Sequence, residues 1–183
     1  MRRLKLIVVI LAALTIASGG TALAGGYKAK PFSFDPDGVG CGTGAWVAQV
    51  GLPDAGRSNH GLVLTKDCPT STVASGGAVL EGFEGETLTS LGFDYRNDGH
   101  CGAGAPRFNV TTSSGTLFFG CAAGAATDLG NGWTHVDMAV PAGVTIERII
   151  IVFDEGTDQG AGFVVLDNIE VNGVVIGKPG NAR

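Results

Sequence analysis

After residue 29 the chain never runs far without a turn. Short runs rich in β-branched and aromatic residues alternate with clusters of Gly, Pro, Asn, Asp and Ser. The runs fall at residues 30–34, 46–52, 62–65, 75–83, 87–96, 107–112, 116–120, 133–140, 145–154 and 162–171, with a last short one at 173–176. Between them stand Asp35-Pro36-Asp37-Gly38, Asn97-Asp98-Gly99, Ser113-Ser114-Gly115, Gly130-Asn131-Gly132 and Pro141-Ala142-Gly143. No segment holds an apolar period of 3.6 over about 11 residues or more. Residues 122–128 read as a loop because of their Gly content. The pattern predicts an all-β fold, an antiparallel β-sandwich of jelly-roll type with about ten short strands. The 31 Gly in 183 residues follow no triplet period, which excludes collagen. They fit the many turns that such a fold needs. A hydrophobic fraction of 44% excludes a disordered chain.

The first 24 residues are set apart from this pattern. Arg2, Arg3 and Lys5 precede an apolar stretch at 6–16, and Thr21-Ala22-Leu23-Ala24 supplies small residues before Gly25. This is the pattern of a cleaved secretory signal peptide, 1–24, leaving one domain at 25–183. The apolar stretch is too short to span a bilayer as a helix, and no second one follows. Cleavage removes three basic residues and no acid, so the net charge moves from −5 to −8. An acidic secreted chain of this kind is not a nucleic-acid binder. It is expected to be extracellular and monomeric.

Cys41, Cys68, Cys101 and Cys121 all lie in the mature part. An even count in an oxidising compartment reads as disulfides, and four cysteines allow three pairings. Cys41–Cys68 with Cys101–Cys121 is favoured, because each bridge then clips one local excursion. His100 beside Cys101 suggests a metal site only if a C-x-x-C spacing supports it, and none does. The glycines around Gly40 and Gly42 loosely fit a dinucleotide fingerprint, but a Trp-led strand follows where a helix is required.

Strand parity points to a candidate surface. In 133–140, Thr134, Val136, Met138 and Val140 fit the core, which leaves Trp133, His135, Asp137 and Ala139 outside. In 91–96, Asp94 and Arg96 face out, and in 107–111, Arg107 and Asn109 do. If the three strands are neighbours, one outer face carries Trp133, His135, Asp137, Asp94, Arg96, Arg107 and Asn109. An aromatic plate among planar hydrogen-bonding groups suits a sugar, whose apolar face stacks while its hydroxyls are bonded. The alternative is an ordinary solvated face whose Arg and Asp pair with each other.

In the closing run Leu166-Asp167-Asn168-Ile169-Glu170-Val171, parity puts Asp167 with Val165, Ile169 and Val171, as a buried or half-buried carboxylate in need of partners. This run resembles the closing strand of secreted galactose-binding-like and carbohydrate-binding-module-like jelly rolls. The resemblance covers roughly 75–173 in strand pattern and 166–171 in motif. It implies that Asp167 helps to hold a structural calcium ion, with Asp35, Asp37, Asp154, Glu155 or Asp158 as candidate partners, since calcium takes six to eight oxygens. The alternative is a carboxylate satisfied by backbone N–H groups.

No Gly-x-Ser-x-Gly elbow and no His-Glu-x-x-His helix is present. The expectation is a secreted, non-catalytic binding module whose partner is an extracellular glycan. Two alternatives stand beside it. One is a small secreted polysaccharide hydrolase or lyase using His135 with Asp94 or Asp137, and the other is a structural or adhesive surface protein without a small ligand.

Overall fold

A computed structural model describes residues 26–54, 58–178 and 181–182, so the expected signal peptide lies outside the described residues. The strands are β1 Lys28–Phe34, β2 Gly42–Val47, β3 Gly61–Lys66, β4 Ser75–Glu81, β5 Leu91–Arg96, β6 Arg107–Thr112, β7 Gly115–Gly120, β8 Ala125–Gly130, β9 Trp133–Met138, β10 Arg148–Phe153, β11 Phe163–Val171, β12 Val174–Lys178 and the two-residue β13 Asn181–Ala182. A 3₁₀ turn at Cys121–Ala123 precedes β8. All strand pairings are antiparallel.

The strands make two sheets. The smaller runs β1-β4-β10-β6-β7. The larger holds β12-β11-β5-β9-β8, with β2 and β3 joined through β11 and β13 extending β12. Leu166 on β11 pairs with Leu62 on β3 and with Tyr95 on β5, so β3 and β5 flank opposite edges of β11. The sandwich core lies between the sheets. Ala78, Leu80, Phe108, Val110, Ile149 and Ile151 meet Leu62, Leu64, Leu91, Phe93, Val164 and Leu166 there. Phe93 and Phe108 touch across the gap with ring centroids 5.5 Å apart. In β6 alternate residues are buried, which is the period-2 signature of a strand with one face on the core.

Two strands depart from the expected boundaries. β2 takes in Gly42 and Gly44, expected in a loop, because the chain backbones approach closely there. A Cβ at Gly42 would lie 2.7 Å from the Ser75 nitrogen, and one at Gly44 would lie 2.6 Å from the Phe32 carbonyl oxygen. Gly here permits contact between layers rather than a turn. β8 occupies residues expected in a loop. All six of its residues are exposed, so it carries no apolar alternation. It forms by pairing with β9 through the Gly130-Asn131-Gly132 turn, where all three residues have positive φ.

Parity also breaks within β11. The register shifts between Asp167 and Glu170, and Asn168 sits at φ 45°. This bulge puts Val164 and Leu166 in the core with Ile169 and Val171. Asp167 therefore does not share a face with Ile169 and Val171. Both favoured disulfides are present, with Cα separations of 5.8 Å for Cys41–Cys68 and 5.3 Å for Cys101–Cys121.

Candidate functional site

The strands carrying the seven candidate ligand residues are split between the sheets. β5 and β9 are neighbours, so Asp94 lies opposite His135 and Arg96 opposite Trp133. β6, with Arg107 and Asn109, belongs to the other sheet. The single face assumed from parity does not exist. Two faces replace it, on opposite sides of the molecule.

On the larger sheet, Asp94 is 4% exposed and organises its surroundings. One carboxylate oxygen contacts His135 Nδ1 at 2.6 Å, and the other accepts a hydrogen bond from Asn168 Nδ2 at 2.6 Å. His135 Nε2 lies 3.1 Å from the exposed Asp137. Burial lowers the His135 pKa, but hydrogen bonds to Asp94 and Asp137, with their charges, outweigh it and raise the value above that of an ordinary histidine. Asp94, His135, Asn168, Glu170, Leu129 and Val175 line an open depression. Trp133 is 6% exposed and offers no plate for stacking. Arg96 donates to Asp98 at 2.7 Å and to the Val50 carbonyl at 3.4 Å.

On the smaller sheet, the pairing register sets outward side chains in rows that cross the strands. One row is Lys30, Val79, Ile150, Asn109 and Phe118. The next is Phe32, Gly77, Val152, Arg107 and Gly120. Phe118 is 64% exposed and Phe34 51%. The Phe32 ring lies over Gly77, where a Cβ would collide with it. Arg107 is held by both oxygens of Asp154, at 2.5 and 2.7 Å, and by the Gly104 carbonyl at 2.6 Å. Its Nε donates to Asn109 Oδ1 at 2.9 Å, and its guanidinium stands 5.9 Å from the Phe118 ring centre. Neither Phe34 nor Phe118 was singled out by sequence, although outward parity beside Asn109 would have found Phe118.

The six candidate calcium ligands do not converge, and Glu155 is taken up by His100 Nε2 at 2.5 Å and the Gly104 N–H at 3.1 Å. Asp35 accepts the N–H groups of Val39 and Gly40 within its own loop, which Asp37 shares. Asp154 belongs to Arg107. Asp158 accepts the hydroxyl and backbone N–H of Thr70, each at 2.7 Å, and those bonds lower its pKa. Asp167 is fully buried and accepts N–H bonds from Leu52 and Asn168, both at 2.7 Å. Among the described residues no three His, Cys, Asp or Glu side chains gather to hold a metal.

Where the calcium partners were sought, the structure places a lysine. Lys66 is 1% exposed, and its ammonium donates to the carbonyls of Thr70, Thr72 and Asp154 at 2.8, 2.7 and 2.9 Å. All three ammonium hydrogens find acceptors, as a buried charge requires. The loops after β3 and β10 are thereby tied by a cation the chain itself carries.

Compared with known protein families, with curated proteins and with solved structures, the chain finds no significant match.

Proposed function

We propose that this is a secreted, non-catalytic binding module that takes a carbohydrate on the outer face of the smaller sheet. The observation that carries the reading is a pair of exposed rings on one sheet face: Phe34 borders an apolar depression floored by Phe32, Val79, Ile150 and Val152, and Phe118 stands beyond it, past Asn109 and Arg107 on β6. Four strand spacings separate β1 from β7, a width of about 19 Å at roughly 4.8 Å each. Such a shallow face suits an extended chain lying across the strands better than a small molecule. The rings supply stacking, and Asn109 keeps its Nδ2 donors because Arg107 occupies its oxygen. The galactose-binding-like resemblance of residues 166–171 points to the same class of ligand. Export fits the two formed disulfides, which persist in oxidising compartments. The test is a pull-down on insoluble and immobilised polysaccharides. Retention of the wild type, lost in Phe118→Ala with Phe34→Ala, supports the reading, and no retention on any glycan refutes it.

A second reading rests on the opposite face. Buried Asp94 holds His135 Nδ1 and the exposed Asp137 lies 3.1 Å from Nε2, so a histidine flanked by two carboxylates stands at the edge of the depression, a pairing that could serve proton transfer. In this reading the protein is a small polysaccharide hydrolase or lyase. Turnover abolished by His135→Ala would establish it, and the absence of turnover on every polysaccharide retained would remove it.

A further inference from the structure

The carbohydrate reading leaves the ligand's charge open, and the distribution of basic residues bears on it. On the smaller sheet's outer face stand Lys28, Lys30, Arg107 and Arg148, against Glu81 and Asp154. Lys30 is bound to Glu81 at 2.8 Å, and Arg107 to Asp154. Among the described residues Lys28 and Arg148 meet no carboxylate within salt-bridge distance. The opposite outer face carries Asp94, Asp137 and Glu170 around His135. A chain whose net charge is −5 thus turns a locally positive side outward, and that side is the one bearing the exposed rings.

The two unpaired cations also sit in a particular place. Lys28 opposes Glu81, and Arg148 opposes Thr111, so both belong to the row next to Lys30, Val79, Ile150, Asn109 and Phe118. Arg148 also helps line the depression with Phe32, Phe34, Val79, Ile150 and Val152. A chain lying along this face would have Lys28 and Arg148 along one flank, in a row whose carboxylate, Glu81, is already held by Lys30. Guanidinium and ammonium groups recognise carboxylate and sulfate by charge-assisted hydrogen bonds. Exposed cations beside an apolar floor add little to stability, but they select an anion by complementarity.

We infer that the ligand of this face is an anionic polysaccharide, one bearing carboxylate or sulfate groups along its length. The inference rests on the carbohydrate reading above and specifies it. Its experiment uses the full mature chain and three immobilised polymers: a neutral glucan, a polyuronate and a sulfated galactan. Binding is measured at about 0.05 and 0.5 M salt, across which the Debye length shrinks several-fold. The expected result is retention on the polyuronate or the sulfated polymer, at least tenfold weaker on the glucan and weakened by salt. Arg148→Glu with Lys28→Glu should reduce it at least tenfold, while Arg148→Gln with Lys28→Gln gives an intermediate loss. Equal, salt-independent binding to the glucan overturns the anionic class and leaves the carbohydrate reading standing. No binding to any polymer overturns both. A sulfated ligand without a polyuronate, or the reverse, identifies which anion the flank accepts.

Discussion

Lys66 shows what one residue does to the folded state. Its ammonium satisfies three carbonyls inside the protein, so Lys66→Met would leave them without a donor. The expected loss is about 3 kcal/mol or more, read as a fall in the denaturant midpoint at unchanged slope. A midpoint within error of wild type would show that the carbonyls find other partners. The residue was legible in part: Leu62, Leu64 and Lys66 share one parity and all are buried, but the run was ended at Thr65, one residue short. Trp133 shows the opposite case. Its outward parity was correct as a strand position, but its burial depends on what lies over the strand start, and no local pattern reports that. His135 makes a pH prediction. Its folded pKa lies above the ordinary 6.5, so its contribution to stability is complete below that value and is lost as pH rises through the raised one. A His135→Gln variant should therefore differ from wild type more at pH 5.5 than at pH 8.5 in thermal midpoint. Asp94→Asn should lower the histidine's titration midpoint followed by NMR. An unchanged midpoint would mean that the 2.6 Å contact does not set its charge.

At the scale of elements, the strands rich in buried apolar residues were legible, and β8, with no buried face, was not. β9 announces itself through Val136 and Met138 at alternate positions, and β10 through its unbroken apolar run Ile149–Phe153. β8 does not, because an edge strand exposed on both faces has no reason to alternate. β2 was misplaced for a different reason: Gly42 and Gly44 read as turn residues, whereas their role is to let β2 lie against β1 and β4. Gly76 belongs to the same junction, since a Cβ there would strike the Thr43 carbonyl. Backbone has little room to give, so Gly76→Ala should destabilise by about 1–3 kcal/mol, measured by chemical unfolding. Gly143→Ala, with open space around it, tests the other glycine role; its φ of 76° makes the cost conformational, about 1 kcal/mol. No loss in Gly76→Ala would contradict the close approach. The local bridges belong here too. Serine at both members of either pair should cost about 3 kcal/mol through the loop it releases in the unfolded chain.

For the molecule as a whole, fold class and disulfide pairing were legible because both follow from local signals, namely alternation, turn spacing and cysteine order. The assignment of β6 to the smaller sheet was not. That assignment depends on pairings with β10, about 40 residues away, and no run of residues states its distant neighbours. The consequence for function is direct. Arg107 and Asn109 leave the histidine face and join Phe34 and Phe118, so in the proposed carbohydrate reading the aromatic partners come from strands that parity on β9 could not indicate. The measurement closest to this claim is a titration of the isotope-labelled protein with a retained oligosaccharide, followed by backbone amide shifts. With the ligand on the smaller sheet, the largest shifts fall on β1, β4, β10, β6 and β7, around Phe34, Ile150, Asn109 and Phe118. Shifts concentrated on β5, β9 and β11, around Asp94, His135 and Asn168, would contradict it and place the ligand on the histidine face.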